Sequence, residues 1–206
     1  MTRYVAIDNE TGGIEEVTSL LTSYLGVFDE NFKLIDELYL YTKPNDGNYV
    51  VTAEGLRINR INLVEHEKVA ITYKEAGTKL YEFLRKNSMD GKIFLAPVGH
   101  NVGFDIAGLQ LNLLGRKTWN RFVSYRLNDT GCSVGDLIHA GIIPNTVKGS
   151  LGSCLEYFDL LKEFPKETLH DAKVDALASL AVYQKCQVIL RTLASLAPAG
   201  FNSASL

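Results

Sequence analysis

Short apolar segments separated by polar breaks make up the first part of the chain. Residues 3–8 form a β-prone apolar run, which is typical of a strand buried in the middle of a sheet. Residues 18–28 and 32–42 are rich in Leu, Tyr, Val, Phe and Thr, and the polar segment 29–31 separates them. This pattern predicts a β-hairpin that ends at Pro44. The first three predicted elements are therefore all strands.

Helical spacing of apolar residues dominates the rest of the chain, with two further strand-like runs. The polar segment 45–71 predicts only one short helix, near residues 63–68. The runs at 93–98 and 123–127 predict strands. Helices are predicted at 73–86, 105–113, 134–140, 151–158 and 169–193. The order implies an α/β fold in which three antiparallel strands join strands that are connected through helices.

The composition indicates one globular domain. With 206 residues, of which 46% are hydrophobic, the chain has enough apolar material for one sizeable core. We expect the domain to cover residues 1–196 and residues 197–206, with Pro, Gly, Asn and Ser, to form a loose tail. The net charge of −3 gives no sign of a broadly basic surface. Any contact with a polyanion must therefore be local.

The cysteines and the amino-terminal residues indicate a soluble intracellular protein. Cys132, Cys154 and Cys186 are odd in number, and their spacing fits neither a disulfide framework nor CxxC-type zinc ligation. The first residues lead directly into a strand pattern, without the features of a signal peptide. No apolar run approaches the ~20 residues that cross a bilayer. We expect a cytoplasmic protein with no membrane contact.

Two carboxylates end the first predicted strand. Asp8 and Glu10 are two residues apart, and side chains alternate along a strand, so both should project to the same side. Like charges placed together at the end of a buried strand favour a bound cation, and oxygen ligands favour Mg²⁺ or Mn²⁺. The alternative is a solvated strand end before the Gly12-Gly13 turn, and for this pair alone that alternative is the better one.

A third acid follows the strand at 93–98. Asp105 lies at the start of a predicted helix, close to the carboxyl end of a strand, where α/β sheets usually place their ligands. His100, Asn101 and Phe104 precede it and are suited to hydrogen bonding and base stacking. The alternative for Asp105 alone is a charge that satisfies the helix dipole.

The start of the last predicted helix carries a histidine and a further acid. Thr168 and Asp171 have the spacing of a capping box, which places His170 in the first turn. In a regular helix, His170 and Asp175 would point about 140° apart. They serve one site only if His170 lies on a mobile entry and Asp175 is fixed one turn inside. A histidine suits a general base at neutral pH. The alternative for His170 is a helix-entry residue with no catalytic role, and the alternative for Asp175 is a surface charge on an amphipathic helix.

These elements resemble the three motifs of the DEDDh exonucleases, the DnaQ-like family of the RNase H-like fold. The matching segments are Asp8-x-Glu10-Thr11, His100-Asn101-x-x-Phe104-Asp105 and His170-x4-Asp175. The resemblance covers roughly residues 3–190. The sister group that uses tyrosine would need Tyr at position 171, where this chain has Asp171, so the histidine version is favoured. Gly12 stands where many relatives carry a second Thr.

The resemblance implies a fold, a reaction and residue roles. The fold would be a mixed five-stranded sheet, with three antiparallel strands, flanked by helices. The reaction would be the removal of nucleotides from 3′ ends of single-stranded DNA or RNA, with two divalent ions, Mg²⁺ or Mn²⁺, and a water activated by His170. The implied ion ligands are Asp8, Glu10, Asp105 and Asp175. The implied substrate-binding residues are Thr11, His100, Asn101 and Phe104, although Phe104 also suits the core.

Several questions stay open at this stage. The chain could be a catalytically idle RNase H-like module that binds a nucleic-acid end or a protein, or a nucleotide phosphatase on the same metals. A DNA polymerase or another replication or repair protein could be a partner, and a homodimer is possible. The sequence does not decide between DNA and RNA.

His66, His139 and Trp119 have ordinary structural interpretations. Scattered surface cations are the default interpretation of Arg116, Lys117, Arg121, Lys166 and Lys173, with a phosphate path as the alternative.

Overall fold

A six-stranded mixed sheet forms the centre of the part of the chain that the structure describes. The structure, a computed structural model, describes residues 2–13 and 18–196. The strands are β1 (Arg3–Thr11), β2 (Leu20–Phe28), β3 (Leu34–Lys43), β4 (Ile71–Thr72), β5 (Leu95–Gly99) and β6 (Asn128–Asp129). Their order across the sheet is β4-β3-β2-β1-β5-β6. The first three strands pair antiparallel, whereas β4 joins β3, β5 joins β1 and β6 joins β5 in parallel.

Helices cover both faces of this sheet. They are α1 (Ala53–Asn59), α2 (Leu63–Val69), α3 (Tyr73–Asn87), α4 (Val102–Asn112), α5 (Arg116–Trp119), α6 (Thr130–His139), α7 (Leu151–Tyr157) and α8 (Ala172–Leu196), with a 3-10 turn at Lys166–Thr168. Strand β1 alternates between the two faces. Val5 and Ile7 pack with α3 and α4, whereas Ala6 packs with α8. This is the period of 2 that a strand buried on both sides requires.

The predicted fold class is confirmed, with one more strand than expected. The additional strand is β4, which has two residues and lies at the edge of the sheet. The predicted strand at 123–127 is wrong: Val123 forms only an isolated bridge to Leu95, and the paired strand begins at Asn128. The segment 45–71 is also more ordered than predicted, because Thr52 caps an unpredicted helix, α1, with its side chain.

Other predicted elements are shifted by a few residues. The long carboxy-terminal helix was predicted over 169–193 and is observed as Ala172–Leu196. Trp119 is 1% exposed and packs in the core between the sheet, α3 and α4, in agreement with its structural interpretation. The predicted loose tail, 197–206, lies outside the described residues. Among the described helices, none combines the length and the apolar character that crossing a membrane requires.

The topology brings two chain segments together at one edge of the sheet, namely the edge formed by the carboxyl ends of the inner strands β1 and β5. Strands β1 and β5 are parallel neighbours, with Ala6 paired to Val98, so their carboxyl ends lie side by side. The acids at the end of β1 therefore lie next to the loop that follows β5 and enters α4. Ligand sites of open α/β sheets form at such an edge.

Candidate active site

Strand β1 holds the first two acids in the sheet. Asp8 pairs with Tyr24 and Glu10 with Thr22 on β2, and the register shifts between Glu10 and Thr11. A shift of this kind bends a strand and re-aims the side chains next to it. Both acids have the same parity as Ala6, so they project to the same side of the sheet, as predicted. Ala6 packs against α8, so this side is the α8 face.

Asp105 is fastened to β1 by two hydrogen bonds from Asn9. The backbone N–H of Asn9 donates to Asp105 Oδ1 at 3.0 Å, and Asn9 Nδ2 donates to the Asp105 carbonyl at 2.8 Å. Asp105 is 4% exposed and lies in the first turn of α4. These bonds link the second motif to the first across 96 positions of sequence.

The entry to α8 differs from the predicted capping box. Thr168 Oγ1 donates to the Pro165 carbonyl inside the 3-10 turn, so Thr168 caps nothing in α8. Asp171 is the cap instead, because its Oδ1 accepts the backbone N–H groups of Lys173 at 3.0 Å and Val174 at 3.1 Å. The helix therefore begins two residues after His170, not before it.

His170 lies outside the helix in a left-handed backbone conformation. Its φ is 68°, which is uncommon for a residue other than glycine. Its backbone N–H donates to Asp175 Oδ2 at 3.2 Å, and its side chain is exposed. The 140° separation of a regular helix therefore does not apply. The chain reverses at His170 and brings this residue back to Asp175.

The first and third motifs meet at one point. One ligand atom each from Glu10, His170 and Asp175 lie within 4.8 Å of one another. Asp8 and Asp105 lie close enough to this group for their charges to affect one another and Asp175. The structure thus brings the five predicted catalytic positions into one electrostatic environment, with Glu10, His170 and Asp175 in direct proximity.

The carboxyl groups of this cluster bind protons more tightly than usual. Burial, followed by the charges of Asp175 and Asp171, raises the pKa of Glu10 to about 8. Burial raises the pKa of Asp175 to about 6, against the opposing hydrogen bond from His170. Burial and then the charges of Asp105 and Asp175 raise the pKa of Asp8 well above its usual range. Such a cluster is stable as carboxylates only when a cation balances the charge.

The residues fit divalent metal ions. Asp175 Oδ1 is buried and, within the described part of the chain, has no hydrogen-bond partner. An unpaired buried carboxylate oxygen is costly unless it coordinates a cation. Carboxylate oxygens with at most one imidazole are the ligands that Mg²⁺ and Mn²⁺ accept.

The predicted substrate-binding residues have different surroundings. Phe104 is 45% exposed, so its alternative interpretation as a core residue is wrong. Thr11 Oγ1 donates to the Gly13 carbonyl at 2.6 Å. Asn101 is exposed and left-handed, with φ 61°, and its side chain makes no capping bond to α4.

His100 is occupied by protein contacts. Its Nδ1 lies 2.9 Å from Thr130 Oγ1, and its Nε2 lies 2.8 Å from the Gly149 carbonyl. These contacts tie the loop after β5 to α6 and to the loop before α7. The neighbouring Asp129 accepts the Val102 N–H at 2.9 Å, and its other oxygen caps α6 through Cys132.

Sequence reasoning missed the residues that line a cavity beside the cluster. The cavity has a volume of 400 Å³ and extends from Glu10 and His170 to Tyr39 on β3 and His66 on α2. Tyr39 donates its hydroxyl hydrogen to Asp171 Oδ2 at 3.0 Å, across 132 positions of sequence. His66 is 5% exposed, and its Nε2 lies 3.0 Å from the Thr42 carbonyl. The alternation of β3 places Tyr39 and Tyr41 on one face, but no local signal identifies that face as lining a site.

Solved structures of E. coli exonuclease I are similar to this chain. The complex with a dT13 oligonucleotide has a TM-score of 0.67 at 15% identity and covers 95% of this chain and 43% of that chain. The complex with a dA16 oligonucleotide has a TM-score of 0.71 at 15% identity and covers 94% and 43%. The chain has the RNase H-like fold.

A zinc-bound complex of the same exonuclease with single-stranded DNA has a TM-score of 0.66 at 17% identity and covers 92% of this chain and 41% of that chain. The chain thus spans less than half the length of these proteins. A scan against protein-family models found no match, and a search of curated proteins found none. The likeness therefore concerns the fold, and function has to be argued from the site.

Proposed function

We propose that this chain is a metal-dependent 3′→5′ exonuclease of the DEDDh type that acts on single-stranded nucleic acid. The observation that carries the proposal is the convergence of Glu10, His170 and Asp175 within 4.8 Å in a buried, acidic cluster. The motif resemblance and the likeness to exonuclease I bound to oligonucleotides support the same reaction.

Four carboxylates would hold the ions. Asp8 and Glu10 on β1, Asp105 on α4 and Asp175 on α8 come from three elements that meet at one edge of the sheet. When bound, divalent ions supply a water of lowered pKa and stabilise charge on the oxygens of the phosphate. The repulsion among the carboxylates gives the cluster its affinity for cations, because ion binding relieves it.

His170 would act as general base. Its side chain is exposed and lies next to Glu10 and Asp175, so its imidazole reaches a water at the edge of the cluster and accepts a proton from it. The hydrogen bond from its backbone N–H to Asp175 holds the left-handed turn and does not involve the imidazole. The proposed base, His170, is thereby hydrogen-bonded directly to a proposed ion ligand, Asp175.

Digestion of matched 5′-labelled single-stranded DNA and RNA tests the proposal. Each strand is incubated with Mg²⁺, Mn²⁺ or EDTA. A 3′→5′ exonuclease gives a ladder of shortened labelled strands that EDTA abolishes, whereas removal from the 5′ end releases labelled mononucleotide at once. The relative rates on the two strands give the sugar preference.

Site variants and surface controls assign the reaction to the cluster. Asp175→Ala and His170→Ala are expected to lose the ladder. Asp136→Ala and His139→Ala, at exposed positions of α6, are expected to keep it. Intact strands that the wild-type protein still binds would refute catalysis and indicate an idle binding module. Release of phosphate from mononucleotides without a ladder would indicate a phosphatase instead.

A further inference from the structure

The segment between Asp105 and Asp129 has an unusual charge distribution. Residues 106–128 contain no Asp or Glu, although the whole chain has a net charge of −3. The same segment carries four cations, and all of them are exposed. They are Arg116, Lys117, Arg121 and Arg126. Local charge of one sign on an acidic chain indicates a surface that attracts an opposite charge.

These four cations also lack acidic partners. Eight other Lys and Arg side chains of the described residues form salt bridges with carboxylates. Within residues 2–13 and 18–196, no salt bridge involves the cations of 106–128. Their positive potential is therefore not neutralised by the protein itself.

Exposed aromatic rings accompany the cations. Tyr125 is 80% exposed and Phe94 is 58% exposed, which is high for large apolar side chains. The Arg126 guanidinium carbon lies 5.7 Å from the centroid of the Tyr125 ring. Proteins that bind single-stranded nucleic acids combine arginine with exposed aromatic rings, because bases stack on the rings and phosphates pair with the guanidinium groups.

Two adjoining grooves run beside Tyr125. One has a volume of 350 Å³ and is lined by Phe94, Tyr125 and Arg126. The other has a volume of 190 Å³ and is lined by Tyr125, Arg116 and residues of α4. Tyr125 stands between them, so a strand that follows the grooves would pass its ring.

Helix α4 connects the grooves with the acidic cluster. The helix carries Asp105 in its first turn, and it contributes Gly103, Ala107 and Gln110 to the wall of the second groove. It is 11 residues long. A helix of this length spans about 16 Å, which is a distance of a few nucleotides along an extended strand.

We infer that this surface, defined by Phe94, Arg116, Tyr125 and Arg126, binds the part of a single-stranded nucleic acid that lies 5′ of the terminal nucleotide. The inference rests on the proposed exonuclease function, since it concerns the strand whose 3′ end the acidic cluster would hold. The phosphates pair with Arg116 and Arg126, and a base stacks on Tyr125. Affinity should therefore depend on strand length.

Fluorescence anisotropy with labelled oligothymidylates measures this dependence. Binding of a trinucleotide is compared with binding of a strand of about 20 nucleotides over a range of salt concentrations. Ca²⁺ replaces Mg²⁺ so that the strands are bound but not digested. The test variant is Arg116→Glu/Arg126→Glu. The matched control is Lys185→Glu/Arg191→Glu, which reverses two exposed cations on α8, across the sheet from α4.

The test variant is expected to lose about tenfold or more in affinity for the long strand at low salt. The slope of log affinity against log salt should become shallower by about 1.4, since two phosphate contacts are lost. Trinucleotide binding should stay unchanged, as should both affinities of the control. Tyr125→Ala should weaken long-strand binding about fivefold without changing any charge, which provides a second variant if the double reversal folds poorly.

Equal long-strand affinities of the test variant, Tyr125→Ala and the control would overturn the inference, and the surface would then suit another occupant, such as an acidic peptide. This outcome differs from failure of the proposed function. If the wild-type protein shortens the trinucleotide in a separate digestion with Mg²⁺, while the affinity for the long strand is the same in these variants, only the inference fails. If the wild-type protein binds neither strand, both fail.

Discussion

The two halves of the acidic cluster are held in different ways. Asp8 and Glu10 lie on β1 where it pairs with β2, directly after the part of β1 that also pairs with β5, and Asp105 is fastened to the same strand by Asn9. His170, by contrast, lies between a 3-10 turn and α8 in a left-handed conformation. Its backbone N–H is held by the side chain of Asp175, not by a ladder of backbone hydrogen bonds.

This difference matches the tasks that we propose for the two halves. Ion ligands have to keep a fixed geometry, because coordination tolerates little displacement. A general base has to approach a water and then release its proton, which suits an exposed side chain on a short connection. We call Asp8, Glu10 and Asp105 the strand half and the turn at His170 the turn half. Variants in the two halves should lose activity in distinguishable ways.

The largest effect is expected for Glu10→Gln. The variant removes a charged ion ligand in the strand half, and loss of the several kcal/mol that metal ions contribute corresponds to about 10³-fold in rate. Apparent affinity for Mn²⁺ should fall as well, as isothermal titration calorimetry would show. Glu82→Gln, an exposed change on α3, is the control. Retention of both rate and Mn²⁺ affinity would remove Glu10 from the ion ligands.

A smaller loss with a different signature is expected for His170→Ala. Removal of a general base costs about 10²-fold or more in kcat. Mn²⁺ affinity should change much less than in Glu10→Gln, since the four carboxylates remain. Steady-state rates and calorimetry on both variants make the comparison. Equal losses of ion affinity in the two variants would mean that His170 acts as a ligand and that the two halves share one task.

The sequence predicted the strand half better than the turn half. The alternation along β1 places Asp8 and Glu10 on one side, and a strand end followed by a helix predicts the place of Asp105. The left-handed conformation of His170 has no local signal, because its residue type does not require it. The capping-box spacing of Thr168 and Asp171 was therefore misleading.

Long-range contacts account for the other differences between prediction and structure. The hydrogen bond between Tyr39 and Asp171 joins residues 132 positions apart, and no periodicity within either segment predicts it. Strand β4 has only two residues and gains its pairing from β3, so a propensity argument does not detect it. By contrast, β1 to β3 and α8 are long and strongly patterned, and their types were predicted correctly.

Charge in the cluster should make the stability of the metal-free protein depend on pH. The pKa of Glu10 is raised to about 8 and that of Asp175 to about 6, mainly by burial. In the unfolded chain these groups titrate near 4. Between these values the folded state binds more protons, so stability falls as pH rises from about 4 to about 8.

Melting curves in EDTA, Mg²⁺ and Mn²⁺ at pH 6 and pH 8 test this dependence. The metal-free Tm should be lower at pH 8, and the increase in Tm on adding metal should be larger there, because fewer protons compete with the ions. The dependence should be weaker in Glu10→Gln. An equal metal-induced increase at both pH values would contradict the link between burial of these carboxyl groups and ion binding.

The smallest effect is expected for Tyr39→Phe, which tests what fixes the turn half. The Tyr39 hydroxyl donates to Asp171 Oδ2, whereas the other oxygen of Asp171 caps α8 directly after His170. The ring packs against Tyr41 at 5.0 Å and Tyr24 at 6.1 Å, and phenylalanine keeps these contacts. Loss of one such hydrogen bond is worth about 1 kcal/mol, so kcat should fall by about fivefold.

The pattern of kinetic constants distinguishes positioning of His170 from a general loss of stability. In Tyr39→Phe, kcat should fall while KM and Mn²⁺ affinity stay constant, because the variant changes the turn half and leaves the strand half intact. Tyr81→Phe removes a hydroxyl from α3, on the other face of the sheet, and should change none of these constants. The double variant Tyr39→Phe/His170→Ala should be no slower than His170→Ala, since a residue that acts through His170 has no effect in its absence. A further loss in the double variant would show that Tyr39 acts on the reaction independently of His170.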